Sequence, residues 1–357
     1  ERGKFSVRPR NDPRYYGGDM PFVQTGDVTS SGTYLKSFSQ TLNENGIGVS
    51  KVFPKNTILI TIAANIGDTA ITTFEVACPD SVVAIQPYKH VADVYWLKKY
   101  LETRKTDLDA QSTQNAQKNI NLQVLKPLEL IVPSLKEQTK IASFLSNVDE
   151  KISQLTQKHA LLSQYKQGMM QKLFSQQIRF KADDGSEFGE WEDKTIEQIA
   201  NFRRGSFPQP YGLPEWYDNE NGEPFIQVYD VGDNFNLKPT TKSKISELAQ
   251  VQSVFIKKGT LIVTLQGSIG KVAITNYDAY IDRTLLLFSS FKMKVDIYFI
   301  MYQIHNLFNI EKEKAPGGII KTITKEVLSN FKIKLPSFEE QTAIAEILAT
   351  ADRELQL

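Results

Sequence analysis

Apolar residues follow two rhythms along this chain. In one, short β-branched and aromatic runs are cut off by Gly, Asn, Asp or Pro. PFIQVYDV (Pro224–Val231), SVFI (Ser253–Ile256), GTLIVTL (Gly259–Leu265), KVAITNY (Lys271–Tyr277) and RTLLLFSS (Arg283–Ser290) are of this kind. Such runs predict short strands. In the other, apolar positions step by three and four. Ile141, Leu145, Val148, Ile152, Leu155 and Leu162 form a heptad seam, with His159 in the seam position before Leu162. The phase then slips through Tyr165, Met169 and Leu173. One helix is predicted from Ser134 to Ile178, 178 − 134 + 1 = 45 residues, or roughly 67 Å at the α-helical rise. Shorter amphipathic helices are predicted at Val94–Arg104 and Val295–Asn309. A second long helix starts at Ser337 with Ile344, Ile347, Leu348 and Ala351, and is the expected partner for the seam. The mixture is α+β.

The pattern is written twice. VPSLKEQTKIASFLSNVDEKI (Val132–Ile152) lies over LPSFEEQTAIAEILATADREL (Leu335–Leu355), with Pro133 on Pro336, a shift of 336 − 133 = 203. From Pro133 to Ile152, nine of twenty positions are identical. The same shift puts PFVQTGDV (Pro21–Val28) over PFIQVYDV. It puts TILITIAANIGDTAIT (Thr57–Thr72) over TLIVTLQGSIGKVAIT (Thr260–Thr275), and NINLQVL (Asn119–Leu125) over TITKEVL (Thr322–Leu328). A repeat this long is a duplicated domain with a helix attached, well beyond the 20–50 residues of a solenoid unit.

Positions shared by the copies are expected to serve the fold. Ser134 with Glu137, and Ser337 with Glu340, have the spacing of a capping box. Gly67 and Gly270, each after an isoleucine, predict a tight turn, and Asp27 and Asp230 predict a braced one. Positions that differ are expected to serve recognition. Thr25-Gly26 stands against Val228-Tyr229, Ala64-Asn65 against Gly267-Ser268, and Asp68 against Lys271. QSTQNAQK (Gln111–Lys118) stands opposite KAPGGIIK (Lys314–Lys321).

Composition narrows the chemistry. The net charge is +1 over 357 residues, so no polyanion is gripped by global charge alone. No apolar run approaches a membrane span. Cys78 is the single cysteine, and its repeat partner is the apolar Ile281, so it is expected in a core. His90, His159 and His305 are scattered without metal-ligand spacing. NDPRYY (Asn11–Tyr16) lacks the second proline of an adenine-methyltransferase motif. A phosphate loop of the G-x-x-x-x-G-K-[ST] type is missing too. Glu192-Asp193-Lys194 is half of a nuclease motif that arises easily by chance.

Basic residues nonetheless cluster locally. Arg2, Lys4, Arg8, Arg10 and Arg14 adjoin Tyr15 and Tyr16. Arg203 and Arg204 precede GSFPQPYG, with Lys242, Lys244, Lys257 and Lys258 further on. Arginine and lysine neutralise phosphates, and Arg, Gln and Asn read base edges. The candidate contacts in the first copy are those residues with Gln24, Asn65, Gln114, Asn115 and Lys118. In the second they are Arg203, Arg204, Ser206, Gln209, Tyr211, Gln227, Tyr229, Gln266, Ser268, Lys271 and Lys321. The Arg-Gly pair recurs as Arg2-Gly3 and Arg204-Gly205.

A Pro-x-x-x-Glu-Gln block that opens a long helix, repeated after a globular domain, resembles the specificity subunit of type I restriction–modification systems. GGDMPFVQTGDV, IGDTAIT, IGKVAIT, MMQKLFSQQIRF and FGEWEDKTIEQIA add to the likeness, which covers essentially the whole chain. The resemblance implies two target-recognition domains, 1–132 and 184–335. They are joined by helices at 133–183 and 336–357, packed as an antiparallel coiled coil with pseudo-two-fold symmetry. Each domain would read half of a split, asymmetric site on double-stranded DNA, with the helices as a ruler. Leu145, Val148, Ile152, Leu155, Leu162, Ile344 and Leu348 become candidates for the subunit interface. Two modification subunits would dock there and flip the target adenine, with restriction subunits joining through them. The resemblance implies a cytoplasmic, non-catalytic chain with no cofactor of its own. S-adenosylmethionine, ATP and Mg2+ would sit on the partners.

Two departures set further expectations. WEDKTIEQIANF opens the second copy at Trp191 and has no counterpart in the first, and the second helix stops well short of the first. A protein longer at both ends is expected. Two other functions are compatible with the residues alone. One is a protein-binding scaffold; the other, disfavoured by the missing motifs, is a self-contained nuclease or methyltransferase.

Overall fold

The computed structural model describes residues 1–111, 119–314 and 328–356. The chain divides into two compact units, Glu1–Leu155 and Thr156–Leu357, so the boundary falls inside the long helix.

Among the described residues unit 1 carries eight short strands: β1 (Tyr16–Phe22), β2 (Tyr34–Leu35), β3 (Gln40–Leu42), β4 (Val52–Phe53), β5 (Ile58–Thr61), β6 (Thr69–Thr72), β7 (Val76–Ala77) and β8 (Val82–Ile85). They make two four-stranded sheets, ordered β3-β1-β7-β4 and β2-β6-β5-β8. β5, β6 and β7 are buried throughout. Strands buried on both faces need apolar residues at consecutive positions rather than alternation, which is why ILIT reads as a solid run. Helix α1 (Val94–Thr103) follows, its N-terminus capped by Asp93, which accepts from the Trp96 amide. Buried Tyr95, Trp96, Leu97 and Leu101 seat it on the unit. The long helix α2 (Leu135–Phe174) packs its first turns there through Ala142, Ile141 and Leu145.

Unit 2 repeats the plan with β9 (Glu192–Thr195), β10 (Ala200–Arg204), β11 (Glu223–Ile226), β12 (Ser243–Ile245), β13 (Val254–Ile256), β14 (Leu261–Thr264), β15 (Val272–Ile274), β16 (Ala279–Ile281), β17 (Leu285–Phe291) and β18 (Lys332–Leu335). One sheet, β12-β11-β16-β13, matches β3-β1-β7-β4 strand for strand under the 203 shift. The other is β10-β17-β14-β15, and β9 pairs with β18. Helices α3 (Ile297–Lys314) and α4 (Phe338–Gln356) complete the unit.

The duplication extends to backbone strain. Asn56 and Gly259, Ala64 and Gly267, and Gly67 and Gly270 are equivalent pairs, all with positive φ. Gly67 and Gly270 make the predicted turn. Buried Thr61 and Thr264 brace it, each accepting from the amide of residue 68 or 271 through its hydroxyl oxygen. Gly3 and Gly205 are obligatory for another reason. A Cβ would lie 2.3 Å from the Pro79 carbonyl oxygen in one copy and 2.3 Å from that of Ile281 in the other. Asp27 and Asp230 brace their turns alike, each accepting from the amide of the glutamine three residues earlier at 2.8 Å.

Several expectations are corrected. α2 ends at Phe174, not Ile178, because Gln176 turns left-handed at φ 60. α3 starts at Ile297 and runs to Lys314, where Val295–Asn309 was expected. In PFIQVYDV only the first residues are strand; Val228–Asp230 form a 3-10 turn. The capping boxes are half made. The Glu137 and Glu340 amides donate to Ser134 and Ser337 Oγ at 3.3 Å, but the Glu340 carboxylate is drawn elsewhere, as shown below. Ile344 and Leu348 sit in the unit 2 core with Met170, Leu173 and Trp191, so they cannot be surface for a partner subunit. Val148, Ile152 and Leu155 of the seam are exposed. Cys78 is buried, and burial pushes its thiol up to about 12.

Candidate nucleic-acid interface

The repeated phrase anchors each long helix to its own domain. Gln138 and Gln341 are buried, and each makes the same pair of bonds. Gln138 accepts from the Asp93 amide at 2.8 Å and donates to the Pro133 carbonyl at 2.8 Å. Gln341 accepts from the Asp296 amide at 3.0 Å and donates to the Pro336 carbonyl at 2.9 Å. Each glutamine thus ties the first turn of a long helix to the start of the preceding domain helix. The Pro-x-x-x-Glu-Gln block contains both residues, but sequence reasoning gave them no role; their identity at equivalent positions was the available signal.

About three turns further on, Asp149 and Asp352 are also equivalent. Asp149 accepts from Thr33 and Tyr95 hydroxyls at 2.7 Å each and pairs with Lys99 at 2.8 Å. Burial works to raise its pKa, but the hydrogen bonds from Lys99, Thr33 and Tyr95 win and hold it at about 2. Asp352 accepts from Tyr302 and pairs with Lys166 of α2. Burial first, and then the Asp352 bond, push the Tyr302 hydroxyl pKa far above its ordinary value. Lys158 meets Glu354, Lys166 meets Asp352 and Arg179 meets Glu340. Rising numbers on one side meet falling numbers on the other, so within unit 2 the end of α2 runs antiparallel to α4.

The two units present different polar clusters at the predicted recognition positions. In unit 1, Asp80 gathers arginines: Arg10 pairs with its carboxylate at 2.7 Å and Arg2 donates to its carbonyl at 2.5 Å. Tyr16 joins through the Arg10 carbonyl. Arg14 is engaged by Asp12, Arg8 is turned back to the Val7 carbonyl, and Tyr15 packs edge-on against Phe5. Gln24 donates to Gln40 at 2.5 Å, and Asn65 donates to Thr29 at 3.2 Å. Lys4 is exposed.

In unit 2, Gln227, the equivalent of Gln24, sits between two tyrosines. It donates to the Tyr211 hydroxyl and accepts from the Tyr229 hydroxyl. Tyr211 also reaches Asp282 at 3.3 Å. Lys242 lies over the Tyr229 ring and Arg283 over the Tyr211 ring. Burial raises the pKa values of both tyrosines, so they stay neutral donors. Exposed Arg203 and Arg204 end β10. Ser206 is tied to the Gln252 carbonyl, Lys271 to Asp233, and exposed Gln209, Gln266 and Ser268 stand on loops. Arg283, Asp282 and Asp80 were missed in the sequence; Asp80 and Arg283 are equivalent positions of opposite charge. Gln114, Asn115, Lys118 and Lys321 lie outside the described residues.

Amide side chains, guanidinium groups and aromatic rings held at the surface are the chemistry of groove recognition. Among the described residues no cluster of metal-ligating side chains occurs, and no helix is long and apolar enough to cross a membrane.

A family model described as type I restriction modification DNA specificity domain matches residues 7–164 and again 189–357. The chain belongs to that family. Each match spans one copy of the domain together with most or all of the long helix that follows it. A putative type I restriction enzyme MjaX specificity subunit of Methanocaldococcus jannaschii is 28% identical over 279 residues, 76% of this chain and 64% of the relative. The EcoprrI specificity subunit of Escherichia coli is 22% identical over 345 residues, 94% of this chain and 80% of the relative. The chain thus spans under two thirds of the archaeal relative's length. A crystal structure of a type I restriction-modification S subunit from M. genitalium matches all of this chain and 87% of its own, with TM-score 0.60 at 16% identity. At that identity the likeness is one of fold: α+β, with two repeated domains joined by a long helix.

Proposed function

We propose that this chain is the DNA-recognition subunit of a type I restriction–modification complex. Residues 1–132 and 184–335 would act as target-recognition domains, each reading one half of a split duplex site. The helices at 133–183 and 336–357 would set the gap. The observation that carries this reading is one fold built twice with unlike polar clusters at equivalent positions. Gln24 faces Gln40 in one unit, and Gln227 is held between Tyr211 and Tyr229 in the other. Two copies of one scaffold with two different surfaces suit two different half-sites. Arg2, Arg10, Arg203, Arg204 and Arg283 would meet phosphate, and the glutamines base edges.

The family's work requires partners for chemistry. Modification subunits carrying S-adenosylmethionine would dock on the exposed α2 stripe, with ATP- and Mg2+-dependent restriction subunits beyond them, in a prokaryotic cytoplasm. This chain would supply position and no catalysis.

Selection from random duplexes, with the chain bound to its modification subunit, tests the reading. A bipartite motif with a fixed gap is expected, and Gln227→Ala should relax one half alone, by about 1–3 kcal/mol at a single base pair. A selected pool without sequence preference would overturn the proposal and return the protein-scaffold alternative.

A further inference from the structure

Unit 2 fixes which way one amide faces. β11 and β16 lie side by side and parallel, with Ile226 against Ile281. Gln227 and Asp282 therefore leave the sheet together. Asp282 is buried, and its Oδ1 accepts from the Thr284 amide at 2.9 Å and the Thr284 hydroxyl at 2.5 Å. Its Oδ2 accepts from the Tyr211 hydroxyl at 3.3 Å. A carboxylate can only accept, so the single Tyr211 proton points there. The Tyr211 oxygen then accepts from Gln227, and only Nε2 of that amide can donate. Oε1 is left to accept from Tyr229. Lys242 lies 5.0 Å from the centre of the Tyr229 ring and Arg283 5.5 Å from that of Tyr211, contacts that help to hold both rings.

The equivalent place in unit 1 lacks this anchor. Pro79 stands for Asp282, Arg8 for Tyr211 and Gly26 for Tyr229. Gln24 donates instead to the Gln40 amide. Two amides facing each other can reverse together and still keep a bond, so no direction is imposed on Gln24.

After its two bonds Gln227 keeps one N–H and one oxygen lone pair, in a fixed order. In the major groove adenine offers an acceptor, N7, beside a donor, N6, whereas guanine offers two acceptors. We infer that Gln227 reads an adenine in the half-site of unit 2, and that Asp282, acting through Tyr211, is the positioning residue that keeps the amide from reversing. This rests on the DNA-recognition reading above. Nε2 would donate to N7, and Oε1 would accept from N6. Against guanine, the fixed Oε1 would meet O6 with no proton between them.

Two variants test the relay. In Asp282→Asn the asparagine oxygen can keep both Thr284 bonds, which turns its NH2 toward Tyr211 and reverses every donor that follows. Tyr211→Phe cuts the relay at an exposed ring and leaves the bonds between Asp282 and Thr284 alone. The chain bound to its modification subunit selects from random duplexes, and the base pair that Gln227→Ala relaxes is identified. Adenine should be favoured over guanine there by about tenfold or more. Both variants should lower that ratio by about fivefold or more, while the gap and the other positions keep their preferences. General loss of folding would weaken every position alike. Gln227→Arg, with only donors to offer, should turn the preference to guanine. Three results would overturn the inference and leave the bipartite motif standing: no position relaxed by Gln227→Ala, a base other than adenine preferred there, or a ratio moved by neither relay variant. A pool without any motif would overturn the recognition proposal and this inference with it.

Discussion

Glu137 and Glu340 occupy the same place in two copies of one phrase, yet they live in different media. Glu137 is exposed on unit 1. Glu340 is fully buried in unit 2, where Arg179 grips it with two bonds at 3.1 and 2.9 Å and Trp191 donates at 3.0 Å. The carboxylate in return holds the Arg179 guanidinium's pKa above its ordinary value. Arg179 and Trp191 both come from the stretch between α2 and β9. A residue's role in a duplicated protein is therefore set by what its neighbours bring, even where the local sequence is the same.

The largest test of that difference is Arg179→Ala. It leaves a buried carboxylate without its cation, and about 3–5 kcal/mol should be lost. Glu137→Ala should cost no more than about 0.5 kcal/mol. Denaturant unfolding followed for each unit checks both; equal losses would erase the distinction.

Gln138 and Gln341 sharpen the comparison from the opposite side, because they share a pair of bonds, to which Gln138 adds one to the Val91 carbonyl at 3.0 Å. Leucine at either position leaves a buried amide and a carbonyl unpaired, and a loss of about 2 kcal/mol is expected at each. Unequal losses would show that one anchor is redundant.

The next effect is one of pH, at Asp149. Asp149 is held at about 2 in the folded chain, below the ordinary value of about 3.9. A depressed carboxylate stabilises the fold above its unfolded pKa. That contribution drains as pH falls from about 4 toward 2. Asp149→Asn should flatten the acid-unfolding curve of unit 1 in that window; an unaltered curve would contradict the assignment.

The smallest effect concerns Cys78. With its thiol pushed up to about 12 by burial, alkylation at pH 8 should proceed only through unfolding. Rapid labelling of the native chain would show that the core around it opens.

Much of this architecture was legible in the residues. The 203 shift located the repeat, the glycine turns and both helix starts, because a duplicated fold must repeat its backbone constraints. Gly67 and Gly270 had to match, since each takes a φ that side chains resist. The heptad seam was legible as a helix but not as an interface. Spacing alone cannot say whether Ile344 meets this chain's own core or a partner. The recognition clusters were legible only as a pool of polar residues. Tyr211 and Gln227 are 16 positions apart, and nothing local joins them.

What the sequence determined by itself was repetition: equal turns, equal caps and equal strand runs, all arising from interactions a few residues long. Tertiary structure decided which equal residues became unlike. It buried Glu340 and left Glu137 in water. It also set Gln227 between two rings while giving Gln24 a single amide. Those outcomes depend on partners brought from far along the chain, and burial and long-range pairing are properties of the folded whole.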